Sequence, residues 1–186
     1  MSSVVLLSGG LDSAVCLALR RSPVALAIDY GQPHAAHELA AARRLADAFD
    51  AEFVQIAAAI PSYPAPGDSS MLWPGRNIVL LSLAACLAQT RGILRVVIGV
   101  NADDYDGYPD CRPEFLHAAE RALGVKIDAP LLALTKPSVG KLAAEMGVPI
   151  RETWSCYFPT DDGRECGSCD ACEGRERALE PLTARP

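Results

Sequence analysis

The sequence predicts an α/β protein built on a doubly wound, mainly parallel sheet. Short aliphatic runs alternate along the chain with longer segments whose apolar residues recur at helical spacing. The aliphatic runs are continuous, which is typical of parallel strands that are buried on both faces. Such strand–helix–strand repeats fold through right-handed crossovers into one layered sheet. The 186 residues suffice for one domain with a substantial core.

The first half of the chain contains three predicted strands and two predicted helices. The strands are residues 4–7, 24–28 and 53–56, and the helices are residues 11–20 and 35–49. The prediction of the second helix rests on one apolar stripe at helical spacing, which consists of Leu39, Ala42, Leu45, Ala46 and Phe49. Ligands of such sheets bind at the carboxyl ends of the strands, so the turns after the first two strands are candidate site segments.

The second half begins with a long proline-rich segment and then continues the alternation. Residues 57–74 contain four prolines, and we predict a loop that serves as a lid or a subunit contact. After it we predict a helix at 78–89, apolar nearly all round and therefore buried, a strand at 95–100, an extended segment at 126–132 and a helix at 136–146. We divide the chain into a domain of residues 1–150 and a cysteine-bearing segment, residues 151–186, packed on it.

A glycine-rich turn, Ser8–Ser13 with the sequence SGGLDS, joins the first strand to the first helix. A strand, a glycine turn and a helix direct several backbone N–H groups toward one point, where they stabilise an anion together with the helix dipole. Gly9 and Gly10 leave no Cβ to obstruct a phosphate, and the two serines add hydroxyl donors. The lysine of a Walker motif is absent. The turn therefore predicts a phosphate site at the start of the first helix.

Four cysteines near the C-terminus have the spacing of a metal site. Cys166, Cys169 and Cys172 form two overlapping Cys-x-x-Cys units, and Cys156 precedes them. Four thiolates close a tetrahedral zinc site without an open position, which indicates a structural metal. An iron–sulfur cluster is the alternative, but the Cys-Pro that usually follows in ferredoxins is absent.

Composition and charge narrow the classes of function. The 17 basic and 23 acidic residues give a net charge of −6 without a basic cluster, so we expect a small-molecule substrate and no nucleic acid. The N-terminus has no signal-peptide pattern, and the longest apolar stretch, residues 78–88, is too short to span a membrane. We expect a cytoplasmic protein, in which cysteines serve metal binding or catalysis.

Taken together, the motifs resemble the 7-cyano-7-deazaguanine synthase family of the ATP pyrophosphatase (PP-loop) superfamily. The SGGLDS turn carries the likeness to the superfamily, whose fold is adenine nucleotide alpha hydrolase-like. The family likeness extends over nearly the whole chain, in the motifs YGQ at 30–32 followed by His34, GRN at 75–77, GYPDCR at 107–112, TK at 135–136, TWSCY at 153–157 and the last three cysteines.

The resemblance implies an enzyme that converts 7-carboxy-7-deazaguanine, ammonia and ATP into 7-cyano-7-deazaguanine, a precursor of queuosine-type nucleosides. Adenylation of the carboxylate, and then of the amide oxygen, would create the two AMP leaving groups, and pyrophosphate would depart each time. The implied cofactors are ATP, Mg²⁺ and Zn²⁺, and the implied assembly is a homodimer.

The resemblance also implies roles for individual residues. The implied nucleotide-binding residues are Leu7, Ser8, Gly9, Gly10, Leu11, Asp12, Ser13, Asp29 and Tyr30. The implied catalytic residues are Asp12, Arg76, Arg112 and Lys136, the substrate-binding residues are Arg76, Asn77, Asp106, Tyr108, Asp110 and Arg112, and the metal ligands are Cys156, Cys166, Cys169 and Cys172. Asp106 or Asp110 would accept the N–H groups of the guanine-like edge. Asp12 either binds pyrophosphate or its magnesium or only caps the helix. Cys111 is either a covalent nucleophile or structural, and His34 either moves protons or is a surface or helix-capping histidine.

The chain departs from the family pattern near the substrate and in its tail. Pro33 stands where the family often has an arginine, and residues 173–179 lack the usual leucine and the glycine–aromatic ending. Two alternatives therefore stay open: a ligase that joins the acid to another amine and stops at the amide, and a non-catalytic, zinc-stapled nucleotide-binding module. A tRNA-thiolating relative would need a basic surface, which this acidic composition does not suggest.

Overall fold

The computed structural model describes residues 2–58, 75–105 and 107–183, in which five strands and six α-helices follow one another. The strands are β1 (Val4–Leu6), β2 (Val24–Asp29), β3 (Glu52–Ala57), β4 (Arg95–Val97) and β5 (Lys126–Asp128). The helices are α1 (Leu11–Arg20), α2 (Ala35–Ala48), α3 (Arg76–Thr90), α4 (Pro113–Leu123), α5 (Lys136–Glu145) and α6 (Asp170–Thr183).

All five strands pair in parallel, in the order β3-β2-β1-β4-β5. Val5 of β1 pairs with Ala25 on one side and with Val97 on the other. The strand order therefore reverses between β1 and β4, and the SGGLDS turn begins beside this switch point. The predicted doubly wound parallel sheet is confirmed, and its crevice lies where α/β sheets of this kind bind ligands.

Two apolar layers cover the two faces of the sheet. Val4 and Leu6 belong to the layer that includes α3 and α4, whereas Val5 and Leu7 belong to the layer that includes α1, α2 and α5. Successive side chains of a strand point to opposite faces, and here both faces are covered, so the aliphatic runs are continuous. The SGGLDS turn is thus anchored in the centre of the core.

Helix α3 differs from the prediction that it is buried all round. Its buried residues are Asn77, Leu81, Ala84, Ala85 and Ala88, while Cys86 is exposed. The helix covers one face of the sheet with one of its own sides, so the apolar residues on its other side are only half-buried. Most of the predicted proline-rich loop, residues 59–74, lies outside the described residues, as does Asp106.

Helices α4 and α6 were not among the predicted elements. Helix α4 begins at Pro113, directly after the GYPDCR motif, and α6 begins at Asp170, inside the cysteine-bearing segment. Helix α6 packs closely on α5, because a Cβ at Gly140 would lie only 1.6 Å from the carbonyl oxygen of Ala178. This contact holds the cysteine-bearing segment against the sheet domain. No helix in the described ranges is long and apolar enough to cross a membrane.

Candidate active site

The SGGLDS turn forms a tight cradle at the end of β1. Gly9 has φ +89°, and a Cβ there would lie 2.5 Å from the carbonyl oxygen of Glu38 on α2. The Ser8 and Ser13 hydroxyls are 3.2 Å apart, and the Gly10 N–H donates to Ser8 Oγ over 3.3 Å. The glycines therefore allow the turn to pack against α2, while its hydroxyls stay together at the N-terminus of α1, where an anion is stabilised.

Asp12, in the first turn of α1, makes an ion pair with Lys136 from the start of α5. Lys136 Nζ lies 2.5 Å from Asp12 Oδ2, and Asn101 Nδ2 donates to the same oxygen over 3.3 Å. Burial alone would lower the pKa of Lys136, but the carboxylates of Asp12 and Asp104 outweigh it and raise that pKa. A fixed cation therefore stands beside the cradle, contributed by a distant part of the sequence.

A cavity of about 520 Å³ opens from this turn and is lined by most of the predicted site residues. Leu7, Ser8, Gly10, Leu11, Asp12, Ser13, Tyr30, Arg76, Asn77, Tyr108 and Lys136 all line it. Its volume is in the range of small-molecule sites, and its position matches the expected crevice. One cavity thus brings together the GRN motif, part of the GYPDCR motif and the glycine turn.

Among the described residues, four of the predicted nucleotide-binding, catalytic and substrate-binding residues do not line this cavity. Gly9 packs against α2 on the side of the turn away from the cavity. Asp29 Oδ1 accepts a hydrogen bond from the Gly31 N–H over 3.0 Å. Asp110 Oδ2 accepts from the Asn77 N–H over 2.9 Å at the start of α3, and Arg112 Nε donates to the Tyr105 carbonyl over 2.9 Å. These contacts hold the loops around the cavity.

Within the described residues, three buried side-chain atoms have no hydrogen-bond partner, and all three belong to cavity-lining residues. They are Asp12 Oδ1, His34 Nδ1 and Arg76 Nε. Buried polar atoms are nearly always paired, so unpaired atoms around one cavity indicate a polar ligand. A ligand with both donors and acceptors would satisfy the carboxylate, the imidazole and the guanidinium.

Arg76 supplies a second fixed cation. Burial alone would lower the pKa of its guanidinium, but nearby Tyr30, Tyr157, Asp110 and Tyr108 act in the opposite sense and raise it. The side chain therefore stays charged at physiological pH. A planar guanidinium among aromatic rings suits both a phosphate and a carboxylate, because it presents a fork of donors.

Cys111 also lines the cavity, and its surroundings keep it a neutral thiol. Burial, and then the carboxylates of Asp104 and Asp110, raise the pKa of Cys111 to about 12. Asn77 Nδ2 donates to its sulfur over 3.4 Å. Because the thiolate is the reactive form of cysteine, these surroundings favour the structural interpretation over the covalent nucleophile.

Several residues of the C-terminal segment line the cavity although no sequence motif predicted a site role for them. These are Trp154, Ser155, Tyr157, Asp170, Ala171, Glu173, Gly174, Arg175, Arg177 and Ala178. The Trp154 N–H donates to the Gly9 carbonyl over 2.8 Å, and the indole N–H donates to the Cys156 carbonyl over 2.9 Å. The TWSCY motif could have indicated these residues from the sequence, but only the fold shows that the motif packs against the glycine turn.

The four cysteine sulfurs all lie within 4.8 Å of one another, and Cys166 Sγ and Cys172 Sγ are 3.9 Å apart. Tetrahedral zinc with Zn–S bonds of about 2.3 Å requires sulfurs about 3.8 Å apart, so the cluster fits a metal ion. The Ser168 N–H donates to Cys166 Sγ and lowers the pKa of that thiol to about 6. The predicted metal site is thus brought together, immediately behind Trp154.

Two solved structures share the fold of the chain. The U34-tRNA thiolase NcsA from Methanococcus maripaludis, described with its [4Fe-4S] cluster, superposes with a TM-score of 0.59 at 17% identity, covering 98% of this chain and 71% of that one. A predicted subunit of tRNA methyltransferase from Methanocaldococcus jannaschii gives a TM-score of 0.53 at 19% identity, covering 78% of this chain and 76% of that one. At these identities the likeness shows the fold alone.

Sequence comparison goes further than the fold. The family model described as "Queuosine biosynthesis protein QueC" matches residues 2–70 and 59–183. The 7-cyano-7-deazaguanine synthase of Anaeromyxobacter sp. (strain Fw109-5) is 44% identical over 213 residues, covering 95% of this chain and 91% of that protein. Its counterpart in Azoarcus sp. (strain BH72) is 42% identical over 209 residues, with 95% and 91% covered. The chain therefore belongs to the QueC family, whose relatives are named as synthases.

Proposed function

We propose that the chain is an AMP-forming ligase that converts 7-carboxy-7-deazaguanine and ammonia into 7-cyano-7-deazaguanine. The observation that carries this proposal is the single cavity in which the SGGLDS turn, Lys136 and Arg76 meet in a chain about 40% identical to named 7-cyano-7-deazaguanine synthases. Two ATP molecules would be used, one for each carboxylate oxygen that is removed.

The chemistry requires a strong activating group. A carboxylate on an electron-rich pyrrole ring is a poor electrophile, so its oxygen must become a leaving group before an amine attacks. Transfer of AMP to that oxygen does this, and the same transfer to the amide oxygen allows dehydration to the nitrile. The protein's task in both steps is to position the reactants and to stabilise charge on the phosphates.

The glycine turn would bind the departing pyrophosphate. Backbone N–H groups at the start of α1 would bind the anion. The Ser8 hydroxyl would join them, as would the Ser13 hydroxyl, which donates to the Gly10 carbonyl over 2.9 Å in this structure. Asp12 would hold magnesium, because its buried Oδ1 has no hydrogen-bond partner among the described residues and carboxylate oxygens suit this hard cation. When bound, magnesium would supply neutralising charge to the phosphates.

Lys136 and Arg76 would stabilise the charge that develops on the α-phosphate and on the substrate carboxylate. Both cations are largely buried and fixed by neighbouring groups, so little reorganisation is needed in the transition state. Asn77 and Tyr108 line the same cavity as candidates for contacts with the deazaguanine ring.

The guanine-like edge presents N–H donors that a carboxylate would accept. Of the two aspartates that the motif suggested, Asp110 already accepts a hydrogen bond from the Asn77 N–H. We therefore propose that Asp110 stabilises the start of α3 and does not bind the substrate. Asp106 stays the proposed acceptor. Arg112 holds the same loop through the Tyr105 carbonyl and would act on the substrate only through that loop.

The four-cysteine cluster would hold structural zinc. All four sulfurs would be ligands, which leaves no open position for a reacting molecule. The ligand Cys156 lies between Trp154 and Tyr157, and both of these line the cavity. Bound zinc would therefore hold Trp154 and Tyr157 in place at the nucleotide site.

Product analysis tests the proposal. The purified chain is incubated with ATP, Mg²⁺, ammonium and 7-carboxy-7-deazaguanine, and the products are identified by mass spectrometry. We expect the nitrile with two AMP formed per molecule, and Lys136→Met, purified in the same way, controls for contaminating enzymes. A stable amide with one AMP would indicate the alternative ligase. Nucleotide binding without pyrophosphate release would indicate a non-catalytic module.

A further inference from the structure

His34 is a buried imidazole with one ring nitrogen paired and the other free. It is 1% exposed, and its Nε2 lies 3.5 Å from Glu38 Oε1, one turn further along α2. Gln32 Nε2 donates to the other oxygen, Glu38 Oε2, over 2.8 Å, which fixes the carboxylate. Within the described residues Nδ1 has no partner. This arrangement matches a base that is oriented by a third group.

The His34–Glu38 pair lies next to the glycine turn. The Glu38 carbonyl oxygen is the atom that excludes a Cβ at Gly9, so the first turn of α2 packs directly on the cradle. Both side chains line the cavity. The other two histidines do not line it. His37 stacks on the Trp154 ring with centroids 4.3 Å apart, and His117 is exposed on α4.

The groups around the imidazole suit a proton acceptor. The Glu38 carboxylate lies 3.5 Å from Nε2 on one side, and the Tyr157 ring packs on the imidazole with centroids 5.3 Å apart. Tyr30 and the Arg76 guanidinium line the same cavity from β2's end and from α3. Imidazole is the side chain most often used to accept a proton near neutral pH.

We propose that His34 Nδ1, with its ring oriented by Glu38, takes the protons lost by the reacting nitrogen; this inference rests on the proposed function. In the first step the N–C bond forms, the C–O bond to AMP breaks with its electron pair going to AMP, and one N–H proton passes to Nδ1. In the second step the amide oxygen displaces pyrophosphate from ATP and one N–H proton passes to Nδ1. The adenylated imidate then loses AMP, which takes the electron pair of the C–O bond, while the last N–H proton passes to Nδ1. The imidazolium returns each proton to water.

The test separates adenylation from amine attack. Adenylation is followed as pyrophosphate–ATP exchange that depends on the acid, without ammonium, and amine attack is followed as amide and nitrile formation. In His34→Gln the amide can still meet Glu38, but no base remains at the Nδ1 position. His117→Gln is the matched control, because it makes the same change at an exposed site.

We expect His34→Gln to retain exchange while amide and nitrile formation fall by about 10²- to 10⁴-fold, the range of general acid–base catalysis. The deficit should shrink when hydroxylamine replaces ammonium, because hydroxylamine is the weaker base and its nitrogen, once bonded to carbon, loses its proton to water more readily. Glu38→Gln should also retain exchange and should lose less amide and nitrile formation than His34→Gln. If His34→Gln does not fold, Glu38→Gln takes its place in the test. His117→Gln should behave like the unsubstituted chain.

Two results would overturn the inference while leaving the proposed function intact. Amide formation at the unsubstituted rate in a folded His34→Gln would show that the imidazole takes no proton. An equal loss of exchange and amide formation, unchanged by hydroxylamine, would show a general structural role. Absence of exchange in the unsubstituted chain would instead contradict the proposed function itself.

Discussion

Gly9 and Gly31 form a matched pair that tests how the glycine turn is built. Both have φ +89°, a backbone conformation that L-residues rarely adopt. A Cβ at Gly9 would lie 2.5 Å from the Glu38 carbonyl oxygen, whereas a Cβ at Gly31 would meet nothing within 4 Å. Gly31→Ala therefore changes only the backbone strain, and Gly9→Ala adds the collision with α2.

The expected magnitudes follow from this difference. The left-handed conformation costs alanine about 1–2 kcal/mol at either position. At Gly9 the Glu38 oxygen must also retreat by about 0.9 Å to reach the 3.4 Å of ordinary contact, and overpacking of this kind costs about 1–3 kcal/mol more. We therefore expect Gly9→Ala to lose about 2–5 kcal/mol of unfolding free energy and Gly31→Ala about 1–2 kcal/mol.

Urea unfolding of the two variants measures the difference. With a slope of about 2 kcal/mol per molar urea, the midpoint of Gly9→Ala should lie about 0.5–1.5 M below that of Gly31→Ala. Gly9→Ala should also bind ATP more weakly, because its turn is displaced from α1's N-terminus. Equal midpoints for the two variants would refute the close packing of the turn on α2.

Three further predictions concern the cation, the sheet and the metal cluster. Lys136→Met should lower acid-dependent pyrophosphate–ATP exchange by about 10²- to 10³-fold, as expected when a fixed donor to developing charge is removed, and an unchanged rate would contradict its role. Burial alone would raise the pKa of Asp128, but hydrogen bonds from Arg20 and Arg95 outweigh it and hold that pKa below its usual value. Asp128→Asn should therefore lose about 1–2 kcal/mol of unfolding free energy at neutral pH. This loss should begin to shrink as the pH falls below about 4 and disappear below the lowered pKa of the native state, and pH-dependent urea unfolding checks this. Cys169→Ser should lose bound zinc, measured by elemental analysis, and bind ATP more weakly, because the Trp154 N–H holds the Gly9 carbonyl; full metal content would contradict the ligand assignment.

Local sequence patterns predicted the sheet and the turn well. The central strands β1 and β2 are short aliphatic runs, and helix α1 is predicted with the bounds Leu11–Arg20 that the structure has. The SGGLDS turn is also local, because its glycines and serines follow one another along the chain. The arrangement of the four cysteines depends mainly on sequence spacing, so their sulfurs are brought together as predicted.

The remaining features depend on tertiary contacts that no local pattern contains. Helix α6 bears charged residues along much of its length, and its place is set by a glycine of another helix, Gly140, meeting Ala178. Asp110 resembles a substrate ligand in its motif, yet it accepts the Asn77 N–H from a distant segment. Likewise, Trp154 reaches the Gly9 carbonyl only because the cysteine-bearing segment folds back over β1.

The fate of the carboxylate oxygens tests the central claim most directly. The chain is given ATP, Mg²⁺, ammonium and 7-carboxy-7-deazaguanine with both carboxylate oxygens labelled with ¹⁸O. Mass spectrometry of AMP and of the deazaguanine product then follows the label. If AMP is transferred to the carboxylate and then to the amide oxygen, both labelled oxygens end in AMP, one in each molecule, and the product is an unlabelled nitrile. AMP without label would contradict adenylation of the acid at this site.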